Sequence, residues 1–153
     1  MREEEEVWEF YGKWHRLFED SFLERELFDR IYYRMIALLE RCPEERRLVH
    51  GGLDLSNVVG HNGRITGVLD WLGARYGDFV FDVANLDFWT PGEGYAERCR
   101  ARYAAGGGVP PSYDERVLCY RCYNGLDALR FFAKSGNRDG YGWVRGRIVG
   151  LLG

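Results

Sequence analysis

The sequence predicts a mainly α-helical fold that carries one small β-hairpin, an α+β arrangement. Three observations lead there. Apolar residues recur at helical spacing up to about Arg41. An Asn62-Gly63 dipeptide separates two short extended runs. Helical patterning returns beyond Tyr76 and continues to the end, interrupted at Gly/Pro clusters.

Val7, Phe10, Tyr11, Trp14, Leu17 and Phe18 line one face of a first helix. Glu3 to Glu6 would lie in its first turn, where negative charge suits the helix dipole. Leu27, Phe28, Ile31, Tyr32, Met35, Ile36, Leu38 and Leu39 line a second helix. Cys42-Pro43 ends it, because proline disfavours helix in the residue before it. Leu48-Val49-His50 is a short apolar run. Asn57 to Gly60 and Arg64 to Leu69 flank the Asn62-Gly63 turn and predict a hairpin. A two-residue turn pairs Val58 near Gly67 and Asn57 near Val68. Asp70 then sits just past the open end of the ribbon, beside Asn57.

Asp78 is the expected N-cap of a helix over Phe79 to Trp89, broken by Pro91-Gly92. A weaker helix spans Tyr95 to Ala105, followed by a loop from Gly106 to Pro111. Ser112 would cap a long helix to about Ala133, with Glu115 in capping-box spacing. Ser135-Gly136-Asn137 is a turn, and Trp143 to Leu152 a final helix. Neither an internal repeat nor an inter-domain linker is visible. The expectation is one domain over 1–153: a helical pair (1–46), a loop and hairpin (47–71) and a helical region (72–153).

The bulk properties fit that domain. The chain has 153 residues, enough for a real core. An apolar fraction of 46% and a charged fraction of 29% are ordinary for a soluble globular protein, and 16% aromatic residues predict a core rich in rings. With a net charge of −3 and no Lys/Arg block, nucleic-acid binding has no electrostatic support. No apolar run approaches a membrane span. The acidic N-terminus is not a signal peptide, so a cytoplasmic location with reduced thiols is expected for Cys42, Cys99, Cys119 and Cys122. Cys119-x-x-Cys122 has metal or redox spacing, but it lies in a helical pattern without a second close pair, so core cysteines are the simpler reading.

Chemistry concentrates between His50 and Asp70. Protein kinases follow a catalytic-loop aspartate with a metal-binding asparagine and then a second metal-binding aspartate. His50, Asn57 and Asp70 stand at fitting spacings. The oxygens of Asn57 and Asp70 suit magnesium, a hard cation. Where the layout needs the proton-accepting aspartate, this chain has Gly52. Asp54, two positions on, is either a substitute base or a solvated loop aspartate.

Three ordered blocks carry a resemblance. They are His50-Gly51-x-Leu53-x-x-x-Asn57-Val58, then Gly67-Val68-Leu69-Asp70-Trp71, then Gly77-Asp78-x-x-x-Asp82-Val83-Ala84. Together they resemble the aminoglycoside phosphotransferase family. Asn62-Gly63-Arg64-Ile65-Thr66 and Val83-Ala84-Asn85-Leu86-Asp87-Phe88-Trp89 are similar to its hygromycin B phosphotransferases.

The resemblance implies the C-terminal lobe of a protein-kinase-like fold, with the N-terminal β-rich lobe absent. It also implies an antibiotic-resistance transferase using Mg2+ with ATP or another nucleoside triphosphate and an aminoglycoside-like small-molecule substrate. Asn57 and Asp70 would bind the metal. His50 would shape the loop, Asp82 would hold it through backbone hydrogen bonds, and Trp71 would stand in the place of the DFG phenylalanine. Asp87, Trp89, Glu93 and Asp127 would line the substrate pocket, carboxylates pairing with ammonium groups.

Gly52 offers no proton acceptor. Loss of a general base removes about 10²–10⁴-fold in rate, so transfer is expected to be impaired. Only 49 residues precede His50 and they read as helix, so half of the nucleotide cleft is expected to be missing. The face left bare would attract a second chain or self-association. Two further readings stay open: a non-catalytic, pseudokinase-like protein that binds metal or aminoglycoside, and a truncated relic.

Overall fold

The computed structural model describes residues 14–152. Most of the expected first helix, including Glu3 to Glu6, lies outside them. The part within is a 3-10 turn, Trp14–Arg16, running into the short α1 (Leu17–Asp20). The fold is mainly helical, with two small two-stranded sheets. The described residues form two compact units, one of residues up to Tyr33 and from Gly125, the other Arg34–Asn124.

In the first unit, the N-terminal part of α2 (Arg25–Leu39) buries Leu27, Phe28 and Ile31. Tyr141, Val144 and Ile148 of α6 (Arg138–Val149) are buried in the same unit. The Tyr141 hydroxyl accepts a hydrogen bond from the Glu24 backbone N–H at 2.9 Å. Arg145 forks onto both Glu24 oxygens at 2.6 and 3.0 Å. The Arg145 hydrogen bond holds the Glu24 carboxyl below the ordinary carboxylate range. Helix α6 begins five residues before the expected Trp143, at Arg138. Gly140 and Gly142 weaken the helical pattern there, but Asn137 caps the helix by accepting the Gly140 N–H at 2.9 Å.

The second unit holds the sheets. β1 (Arg47–Val49) pairs antiparallel with β4 (Arg75–Gly77). Sequence reading gave no strand at β4: three residues, Arg75 and Tyr76 both exposed, show no apolar alternation. β2 (Val58–His61) and β3 (Arg64–Val68) form the hairpin. Asn62 and Gly63 both have positive φ, 50° and 72°, as a two-residue primed turn requires. The register differs by one residue from expectation. Gly60 faces Ile65 while Val59 faces Gly67, so Thr66 is an extra residue in the ladder. This bulge moves Val58 opposite Val68, and Asn57 receives the Leu69 N–H at 2.8 Å.

Helices α3 (Val80–Trp89), α4 (Tyr95–Ala105) and the start of α5 (Tyr113–Ser135) build the core of this unit. Val80, Ala84, Ala96, Tyr113 and Val117 are its buried centre. Helix α3 starts one residue later than expected, yet Asp78 still accepts the Val80 N–H at 2.9 Å. Ser112 makes no capping box with Glu115. Its φ of 51° is left-handed, outside the extended region that an N-cap side chain needs.

Asp78 also anchors a buried network that sequence reading missed. Arg116, 2% exposed, forks onto both Asp78 oxygens, and the Tyr120 hydroxyl donates to the same carboxylate at 3.0 Å. Arg116 also reaches the Pro111 carbonyl and lies 3.6 Å from Glu45. Burial alone would lower the pKa of Arg116, but the Asp78 hydrogen bonds and charge, then Glu45, raise it. A buried ion pair is far costlier to halve than to omit. Asp78→Ala is therefore expected to cost about 3–5 kcal/mol in urea denaturation, because Arg116 is stranded. Replacing both residues with apolar ones should recover much of that loss.

Candidate functional site

The loop leaving β1 is held by one carboxylate. The His50 backbone N–H donates to Asp82 Oδ2 at 2.7 Å, and the Gly51 N–H donates to Asp82 Oδ1 at 2.9 Å. Asp82 lies in the first turn of α3, so the loop start is fixed to a packed helix. Charge-assisted bonds of this kind are stronger than neutral ones.

His50 is 3% exposed and spans the site. Its Nδ1 receives the Gly52 N–H at 3.3 Å, so the ring hydrogen sits on Nε2. Nε2 then donates to the Leu69 carbonyl at 2.7 Å. The imidazole thus ties the loop to the residue immediately before Asp70. Trp71 packs at a tilt against His50, ring centroids 4.7 Å apart, and its indole N–H donates to Val68.

Two asparagines fix the next two carbonyls. Asn57 Nδ2 donates to the Gly52 carbonyl at 3.1 Å, and Asn85 Nδ2 donates to the Leu53 carbonyl at 2.8 Å. Asn85, 7% exposed, was not among the residues singled out from the sequence. Its spacing from Asp82, about one helical turn on, is the signal that it shares that face of α3. Asp54 accepts the backbone N–H and hydroxyl of Ser56 and caps the 3-10 turn Leu55–Asn57. Its carboxylate is thereby committed to shaping the turn that carries Asn57.

Asn57 and Asp70 offer the free oxygens. With Nδ2 on Gly52, the Asn57 Oδ1 has no donor among the described residues. Asp70 is exposed, makes no hydrogen bond or ion pair among the described residues, and has φ 58° and ψ 64°. A left-handed aspartate costs about 1–3 kcal/mol and persists only where its surroundings impose it. The two residues come from opposite sides of the hairpin base, joined by the Leu69-to-Asn57 backbone bond. No group of three or more His, Cys, Asp or Glu able to hold a metal occurs among the described residues. Two hard oxygen donors do fit magnesium, which takes one or two protein ligands and completes its shell with phosphates and water.

The two glycines of the loop differ. Gly51 has φ +83°, and a Cβ there would lie 2.1 Å from the Gly73 carbonyl oxygen. Gly52 has no positive φ, and a Cβ there meets nothing within 4 Å. A side chain can therefore be carried at position 52 without disturbing the loop.

The four residues expected on the substrate side differ in their immediate surroundings. Asp87 is buried, where one oxygen accepts the Ala96 N–H at 3.0 Å and the other pairs with Arg121. It satisfies an orphan donor at the start of α4 instead of offering charge to solvent. Trp89 is half-buried at the end of α3, its ring 5.2 Å from Phe88. Glu93 is exposed and loosely paired with Arg98 at 3.8 Å. Asp127 belongs to the other compact unit and pairs with Arg130 at 2.7 Å.

Cys119 and Cys122 are buried thiols on α5. Burial pushes them up to about 12 and about 11 respectively. Both thiols are thereby held in the protonated, unreactive form at pH 8. Alkylation at pH 8 should reach half-buried Cys42 well before either, read by peptide mass mapping.

The model of the phosphotransferase enzyme family matches residues 2–119. Hygromycin-B 4-O-kinase from Escherichia coli is 39% identical over 113 residues, 74% of this chain and 33% of that protein. A crystal structure of a thermostable mutant of aminoglycoside phosphotransferase APH(4)-Ia, in ternary complex with AMP-PNP and hygromycin B, superposes with a TM-score of 0.70 at 33% identity. That match covers 83% of this chain and 43% of the other. A macrolide 2'-phosphotransferase type I shares the fold at 22% identity, with a TM-score of 0.60 over 91% of this chain and 46% of its own. The chain thus spans a third to under half of the length of these relatives.

The paired glycines give a direct test of the loop geometry. Gly51→Ala combines left-handed strain with backbone overlap and should cost about 3 kcal/mol or more in thermal denaturation. Gly52→Ala should stay within about 1 kcal/mol of the parent.

Proposed function

The chain belongs to the aminoglycoside phosphotransferase family of phosphotransferase enzymes, and on that premise we propose that it is the acceptor-side lobe of a kinase-type small-molecule O-phosphotransferase. The observation that carries this reading is the loop frame. Asp82, His50, Asn57 and Asn85 hold the backbone from His50 to Leu53, while Asn57 Oδ1 and the Asp70 carboxylate stay free.

In this reading Asn57 and Asp70 would hold magnesium on the phosphates of a nucleoside triphosphate. The metal, when bound, supplies charge neutralisation across those phosphates. Asp82 keeps the loop on α3. His50, donating from Nε2, holds Leu69 and so the approach of Asp70. Gly52 stands where an acceptor hydroxyl would lose its proton, and it supplies no base. Transfer by this chain is accordingly slow, with positioning and metal-borne electrostatics as the surviving contributions. An aminoglycoside such as hygromycin B is the proposed acceptor, by analogy with the relatives. Trp89 and Glu93 remain the proposed contacts for it. The apolar residues Leu55, Leu69, Trp71 and Leu72 are exposed beside the loop, which supports a nucleotide-binding body covering this side.

A binding-only reading is favoured by one observation: the frame is intact although the base is missing. Calorimetry separates the two. ATP binding that requires Mg2+ and is lost in Asp70→Asn supports the kinase reading. Hygromycin B binding without any nucleotide response supports the other.

The base position is tested by adding a carboxylate where there is room for one. Joined to the nucleotide-binding lobe of the hygromycin kinase relative, Gly52→Asp should transfer phosphate about 10²–10⁴-fold faster than the Gly52 parent. Equal rates would show that Gly52 is not the defect.

A further inference from the structure

We propose that Asn85 is a positioning residue that sets the orientation of the Asn57 carboxamide. The inference rests on the reading of Asn57 as a magnesium ligand, and it concerns what aims that ligand. Gly52 and Leu53 present consecutive carbonyls on the loop. The Gly52 carbonyl receives Asn57 Nδ2 at 3.1 Å, and the Leu53 carbonyl receives Asn85 Nδ2 at 2.8 Å. Of these two straps, the one on Leu53 comes from a helix.

The Asp82 bonds stop at the Gly51 N–H, so beyond it the loop has no other side-chain hold on its carbonyls among the described residues. A Cβ at Gly52 would meet nothing within 4 Å, and a glycine has the least restricted backbone of any residue, so the Gly52 carbonyl depends on its hydrogen bonds for its direction. With Asn85 in place the Leu53 carbonyl is fixed to α3, and rotation of the neighbouring peptide is resisted. The Gly52 carbonyl then stays under Asn57 Nδ2. Because an amide has one donor end and one acceptor end, fixing Nδ2 on Gly52 fixes the direction of Oδ1. Removal of Asn85 orphans the Leu53 carbonyl, which turns to find water and carries the Gly52 carbonyl with it. Outer-shell partners of this kind typically change metal affinity about 10–100-fold.

Asn85→Asp tests this in the chain itself. It keeps the side-chain size but faces the Leu53 carbonyl with an acceptor. Two readouts are taken by NMR: exchange protection of the Asn57 side-chain amide, and the shift of Asn57 and Asp70 resonances on titration with Mg2+ alone. The expected result is loss of Asn57 amide protection and a Mg2+ response weakened about tenfold or more. Val144→Ala, which loosens the core of the other unit, is the control and should leave the protection in place. Undiminished protection of the Asn57 amide in folded Asn85→Asp overturns the proposal, and so does an equal loss in the Val144→Ala control. If the parent itself gives no Mg2+ response while Asn85→Asp still loses Asn57 protection, the metal reading fails and the positioning role stands. Should Asn85→Asp not fold, Asn85→Ser, neutral and too short to reach Leu53, gives the same readout. In the parent, an Asn85 side-chain amide that exchanges as fast as a free asparagine amide also overturns the proposal.

Discussion

The bidentate grip of Asp82 on two successive backbone N–H groups organises everything around the loop. A loop leaving a three-residue strand has few backbone partners of its own, and its donors would otherwise face solvent or stay unsatisfied. One carboxylate on a packed helix satisfies two of them and sets the direction of the chain at His50. From that fixed point the imidazole reaches Leu69, and Asn85, about one helical turn beyond Asp82, reaches Leu53. Helix α3 is rigid because Val80, Ala84 and Phe88 are buried to 1% or less. Precision at the loop is therefore borrowed from the core.

Local strain follows from the same constraint. The close approach of Gly51 to the Gly73 carbonyl and the left-handed Asp70 are both forced where the loop meets the segment after β3. Glycine takes up its positive φ at no cost, whereas the left-handed Asp70 is unfavourable alone and is over-determined by His50, Trp71 and the β1–β4 pairing. Nothing in this frame depends on a side chain at Gly52. The loop geometry and the identity of the side chain at position 52 are thus physically separable.

Much of this was legible in the residues, though unevenly. Asn62-Gly63 announced the hairpin because only a primed turn matches strand twist, and it tolerates positive φ at both positions. The long helices were legible from apolar periodicity. The one-residue bulge at Thr66 was not, because a bulge is a mismatch between two strands and leaves no mark in either alone. Strand β4 escaped because it is short, exposed and held by its partner. Asp87 read as a surface carboxylate for a cationic ligand, yet it is buried with Arg121, since partners thirty-four residues apart are invisible to local pattern. The Arg116–Asp78 pair was missed for the same reason.

The sequence by itself determined the helix-and-hairpin character, the order of the His50, Asn57, Asp70 and Asp82 blocks, the resemblance they carry and the absence of a carboxylate at Gly52. Each is a property of residue type and spacing along the chain. Only the tertiary structure decided which hydrogen-bonding end of each asparagine is used, that Gly51 must be glycine while Gly52 has room for a side chain, and that Asp54 serves as a cap. Those outcomes depend on directions and distances between groups far apart in the chain. They are fixed only when the packed helix α3 brings its carboxylate and amide against the loop.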